Sequence, residues 1–101
     1  MNKNSTHNLK IKLEYFIRIL DGTKNFEIRK NDRNYKAGDT VFVELDTDQE
    51  QDFQNIPSRV RAKIGYVCEY EQKDGYIVFS LTEIKFVSKF GVEYKKWELR
   101  K

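Results

Sequence analysis

Between Gly22 and Arg29 the chain reads Gly-Thr-Lys-Asn-Phe-Glu-Ile-Arg, a G-x-K-x-x-E-x-R pattern that gathers an ammonium, a carboxylate and a guanidinium in one short stretch. Arg29 offers a rigid donor fork suited to a phosphate or a base edge. Lys24 supplies a mobile point charge, and Glu27 accepts hydrogen bonds from exocyclic amines or a ribose hydroxyl. In an extended strand Glu27 and Arg29 share a face and stand about 7 Å apart. Lys24 has the opposite parity, so it joins them only from the turn before the strand becomes regular. The same residues also allow a Glu27–Arg29 or Glu27–Lys24 ion pair that simply ties strand to helix. A catalytic use is the third option, because burial and pairing can tune Lys24 and Glu27 into an acid/base pair.

The neighbours extend the binding option. Lys30 and Arg33 flank the motif and could hold a phosphate backbone, while Asn31 and Asp32 are turn formers. Tyr35, Tyr66 and Tyr76 are candidates for stacking on unpaired bases, with core or sheet-face packing the commoner fate. His7, alone among histidines and without clustered cysteines or carboxylates, is a poor metal ligand, so no metal or cofactor is expected. Cys68 excludes an intrachain disulfide and reads as a small buried hydrophobe. No Ser-His-Asp, Cys-His or Gly-rich phosphate loop stands in a convincing context.

Several short elements must position these residues. Leu9 to Leu13 alternates apolar and basic residues, as a strand with one wet face does. Phe16, Ile19 and Leu20 fall at helical spacing and Gly22 suits the position that ends a helix. Asn25 to Lys30 alternates again, with Phe26 and Ile28 on one side and Glu27 and Arg29 on the other. Ala37-Gly38-Asp39 is a tight turn before the β-prone Thr40–Leu45. Asp46 to Asn55, acidic and amide-rich, reads as an exposed loop without the spacing of a calcium site. Ser58 to Tyr70 alternates, Lys73-Asp74-Gly75 is a hairpin-type turn, and Gly75 to Leu81 is a strand. Two further β-leaning pieces follow, separated by Ser88 to Gly91. The pattern predicts a mainly β (α+β) fold of five to seven strands, a small, mostly antiparallel barrel or sandwich with one helix over an end.

Length and composition bound the rest. The 101 residues amount to one domain, residues 1–101, with a polar tail over 1–6. The hydrophobic share of 39% and aromatic share of 14% argue for a folded chain. A net charge of +3 is too small to demonstrate a polyanion partner by itself, and the basic C-terminal group of Lys95, Lys96, Arg100 and Lys101 reads as solvated surface. No apolar run reaches membrane-spanning length and the N-terminus lacks a signal-peptide core, so no membrane is expected and a cytoplasmic monomer is the simplest reading.

The motif and its surroundings resemble the ASCH family of the PUA-like superfamily. His7-Asn8-Leu9-Lys10-Ile11, the aromatic pair Tyr15-Phe16, the block Phe26 to Arg33 and the Gly38-Asp39 turn look like one branch of it, small stand-alone bacterial and phage proteins of unassigned function. The resemblance covers most of residues 7 to 81 and is most specific over Phe26 to Arg33. It implies a β-barrel with flanking helices, a cleft lined by the motif with His7 at its border, and RNA or a nucleotide-like ligand as partner. One ASCH branch hydrolyses the acetyl amide of a modified cytidine with a Thr hydroxyl where Glu27 stands here. That departure weighs against an amidohydrolase, in which Lys24 and Glu27 would be the catalytic pair. A phage or mobile-element accessory protein that binds a host protein is a further alternative.

Overall fold

Alternation of apolar and polar residues decides most of the architecture. The computed structural model describes residues 3–46 and 57–95, which form β1 (Thr6–Ile11), α1 (Leu13–Leu20), β2 (Phe26–Lys30), β3 (Thr40–Leu45), β4 (Arg59–Cys68), β5 (Tyr76–Val87) and β6 (Glu93–Tyr94). One sheet runs in the order β1-β3-β4-β5-β2, with β6 added to β5, and it curls into a half-barrel. The fold is mainly β with one short helix, as expected. Every pairing is antiparallel except β1 with β3, and this parallel pair is bridged by a crossover that contains α1 and β2.

The concave face collects Leu9, Val41, Val43, Val60, Ala62, Ile64, Ile77 and Phe79, and the helix adds Phe16, Ile19 and Leu20 to the same core. Each of these side chains other than Ala62 contributes about 1.5–3 kcal/mol by leaving water. The helix is only eight residues long and has no side-chain N-cap, so its apolar stripe, packed on the sheet, stabilises it more than propensity does. It stops where Gly22 takes φ +84, with the Gly22 amide donating to the Ile19 carbonyl.

Two bulges account for where the sequence pattern misleads. Strand β5 continues to Val87, whereas the alternation suggested a break after Leu81. Between the pairs Lys63↔Thr82 and Arg61↔Lys85, β5 holds one residue more than β4, and Glu83 adopts φ +49 there. The extra residue moves the buried set from Ile77, Phe79 and Leu81 to Phe86 and disguises one strand as two. In β4, Gly65 and Tyr66 together face the single residue Ser80. Cys68 then falls on the convex face and is only half-buried, not the core hydrophobe expected.

The tail expected over residues 1–6 is shorter. The Ser5 carbonyl accepts from the Thr40 amide and Thr6 begins β1. Asp39, almost fully buried, fixes this end by accepting from the Ser5 amide (2.9 Å), the Lys36 amide (3.0 Å) and His7 Nε2 (2.8 Å). Residues 1–2 lie outside the described residues, as do most of the acidic loop expected over 46–55 and the basic residues Lys96, Arg100 and Lys101. No helix among the described residues is long and apolar enough to cross a membrane.

The His7–Asp39 anchor sets a pH dependence. Burial pushes the Asp39 carboxyl up, but the His7 hydrogen bond and the two amides together outweigh it and hold the group below its ordinary value of 3.8. A carboxyl depressed in the folded state stabilises fully above its unfolded pKa and loses that contribution as pH falls through the folded value. Asp39→Asn should therefore cost about 1–3 kcal/mol at pH 7. In urea unfolding at successive pH values, the gap between wild type and variant should narrow below about pH 4; a constant gap would exclude the carboxylate as its source.

Candidate ligand-binding cleft

The edge strands β1 and β2 face each other across the mouth of the half-barrel without pairing. Arg29 and Arg33 span the gap instead. Arg29 Nη2 donates to the Lys10 carbonyl at 3.0 Å and Arg33 Nη1 to the Asn8 carbonyl at 2.7 Å. Unpaired carbonyls of an edge strand are thereby satisfied by charge-assisted bonds from side chains.

Glu27 sits behind this seam, 3% exposed, on the concave face opposite Phe79. A carboxylate so placed needs partners. Arg29 Nε donates to its Oε2 at 3.1 Å and Lys24 Nζ donates to its Oε1. Lys24 lies in the turn before β2, held there by its backbone amide, which donates a hydrogen bond to the Arg18 carbonyl at the helix end. Its ammonium also lies near two rings, 5.9 Å from Tyr15 and 5.4 Å from Phe26, distances at which a cation is attracted to the ring face.

A cleft of about 540 Å³ opens here between α1 and β2. Its lining comprises Ile11, Tyr15, Arg18, Thr23, Lys24, Phe26, Glu27 and Ile28, mostly apolar with Lys24 and Glu27 as a polar pair. The Thr23 hydroxyl donates to Asp21 Oδ1 at 2.6 Å. That bond, with the Thr23 amide, holds the Asp21 carboxyl below its usual range, so it stays an acceptor and a weak base. Among the described residues no group of three His, Cys, Asp or Glu side chains converges as metal ligands would.

Of the motif residues, Lys24 and Glu27 line the cleft and Arg29 does not. The Arg29 fork, expected to meet a ligand, instead braces Glu27 and the seam. Lys30 points to the convex face, directly across from Tyr76, and Arg33 is spent on β1. His7 does not border the cleft: it is buried against Asp39, with the Tyr35 ring tilted against it at a centroid distance of 4.6 Å. Tyr35 in turn packs 5.0 Å from Phe79, and burial is the main cause that raises its hydroxyl pKa, so it is a core residue. Tyr76 is half-buried under Lys73, whereas Tyr66 is 69% exposed.

The two rings beside the cleft are the contribution that the motif alone hides. Tyr15 lies off the buried Phe16-Ile19-Leu20 stripe, and Phe26 has the parity opposite to Glu27. An aromatic at a solvent position of a helix and another on an edge strand are the signals that could have found them.

Residues 6–81 match the family described as a domain of unknown function, DUF3850. The chain belongs to this family. It is also similar to the uncharacterized 12.9 kDa protein in the GpA 3′ region of Escherichia phage P2, with 46% identity over 37 residues. That stretch covers 37% of this chain and 34% of the phage protein, so the chain spans about a third of the length of the curated relative it matches. The family match takes in β1, α1, β2, β3, β4 and the first half of β5, and with them the cleft and seam.

Removing the carboxylate leaves two partly buried cations facing each other. Glu27→Leu should lower stability by about 2–4 kcal/mol in chemical denaturation. Adding Lys24→Met should restore part of the loss; a double variant as unstable as the sum of the singles would show that the pair is not coupled.

Proposed function

We propose that this chain is a non-catalytic, RNA- or nucleotide-binding module of the ASCH/PUA-like kind whose cleft takes one base. The observation that carries the reading is the Lys24–Glu27 pair set between the Tyr15 and Phe26 rings in a cleft of about 540 Å³. Such a cleft offers ring faces for stacking and, beside them, both a donor and an acceptor for a base edge. Its volume suits a nucleoside-sized ligand. The curled half-barrel sheet with its one helix beside the motif supports the reading. Arg29 has a positioning role, because it orients Glu27 and holds the seam.

The rival reading, hydrolysis of an acetylated nucleoside by Lys24 and Glu27, has one point in its favour, a Thr23 hydroxyl in the same cleft. That hydroxyl is committed to Asp21, whose depressed pKa suits a turn contact more than a general base.

Titration of nucleosides, nucleoside monophosphates and short single-stranded RNAs, followed by tyrosine fluorescence and calorimetry, tests the reading. Tyr15→Ala, a change at a half-exposed position, should weaken binding by about five- to a hundredfold. RNA affinity should also fall steeply with salt. Release of acetate from acetylated cytidine, lost in Lys24→Ala, would replace binding with hydrolysis. No ligand bound by the folded protein would overturn the proposal and turn attention to a protein partner.

A further inference from the structure

The convex face of the sheet carries a second feature that the cleft does not use. Strand β4 points Arg59, Arg61 and Lys63 to that side, followed by Tyr66. Phe26 lies in the same cross-strand row as Tyr66, with Ser80 between them, and Ile28, Val78 and Cys68 form the next row. Tyr66 is 69% exposed, Ile28 57% and Phe26 39%. No carboxylate stands in these two rows.

Tyr66 is exposed yet fixed. Its amide donates to Ser80 Oγ at 2.9 Å, and the bulge presents it on the convex face beside Gly65. A Cβ on Gly65 would come within 2.7 Å of Thr82 Cγ2 and 2.8 Å of Ser80 Oγ, so only glycine lets β4 and β5 close this tightly there. The ring is thus presented on a rigid backbone, with little ordering required on binding.

The basic side of the face is poised for anions. Arg61 and Lys85 are directly opposed in the ladder, a like-charge pair that costs stability unless an anion lies between. Glu93 reaches Arg61 at 2.8 Å, Glu83 stands 3.8 Å from Lys63, and Arg59 lies 4.3 Å over the Phe42 ring with Glu44 opposite it in the ladder. The ion pairs are partly exposed, where such pairs are weak and a phosphate can replace them at small cost. Aromatic rings in line with a row of cations are complementary to a single-stranded nucleic acid, with bases on the rings and phosphates on the cations. A protein partner for the apolar rows alone would leave these cations with only their present intrachain contacts.

We infer that the convex face of β4, with Phe26 at its margin, is a platform along which a single strand continues from the base held in the cleft. Phe26 belongs to both surfaces, since it lines the cleft and opens the Tyr66 row. This rests on the nucleotide reading of the cleft, and the test separates the two.

The experiment measures, for the whole chain, affinity for a nucleoside monophosphate and for single-stranded oligonucleotides of two to eight nucleotides, with wild type, Tyr66→Ala and Lys63→Gln. Circular dichroism first establishes that both variants fold. Affinity should rise with length in wild type. Tyr66→Ala should lose about tenfold of that gain while binding the mononucleotide as wild type does. Lys63→Gln should reduce the salt slope for the longer oligonucleotides by about 0.7. Equal length dependence in wild type and Tyr66→Ala overturns the platform and leaves the cleft reading standing. Length-dependent binding sensitive to Tyr66 with no mononucleotide affinity upholds the platform and overturns the cleft. No binding of any oligonucleotide overturns the platform outright.

Discussion

A sheet of this size that curls only halfway leaves two edges in sight of each other, and their unpaired backbone groups must be satisfied. Here Arg29 and Arg33 supply the missing donors to the Lys10 and Asn8 carbonyls. The remaining features of the cleft depend on that arrangement. An arginine turned toward the opposite edge must have its own charge compensated, and Glu27 does so from the concave face. Glu27 then has an oxygen left over, which Lys24 fills from the turn. Two hydrogen-bonding tasks, closing a seam and neutralising a buried acid, are thus linked in one chain of contacts from β1 to the end of α1.

The same chain separates rigidity from accessibility. The Arg29 and Arg33 guanidinia are tied down at the seam, while the Lys24–Glu27 pair lines the cleft between α1 and β2. The other anchor, Asp39 with His7 and the Ser5 and Lys36 amides, fixes the start of the parallel β1–β3 pair on which the seam depends. A parallel pair made through a long crossover closes late in folding, because its contacts are distant in sequence. A buried carboxylate that gathers donors from three separate positions suits the point where that closure must be fixed.

Much of this could be read from residue order. The helix stripe Phe16-Ile19-Leu20, the alternation of β1, β2 and β3 and of β4 as far as Ile64, and the Glu27–Arg29 face are all visible because a single period holds in each. Lys24 was legible too, as a turn residue of the wrong parity for the strand. The failures have definite causes. One inserted residue at Glu83 reverses the inward set of β5, so a strand looks like two. Two residues at Gly65–Tyr66 share one partner, which sends Cys68 outward. The role of His7 depends on Asp39, a partner far along the chain that no local pattern connects to it. The Glu27–Arg29 ion pair was one of the options the strand face allowed, whereas the second acceptor of Arg29, a carbonyl on β1, is brought within reach only by the curl of the sheet.

A gap closed by a side chain has a width set by the length of that side chain, whereas one closed by strand pairing is fixed at the spacing of a ladder. Changes at the positions of Arg29 and Arg33 can therefore widen or narrow the seam without altering the register of any strand. The separation of the two edges and the pairing within the sheet are thus set by different groups, side chains for the one and backbone for the other.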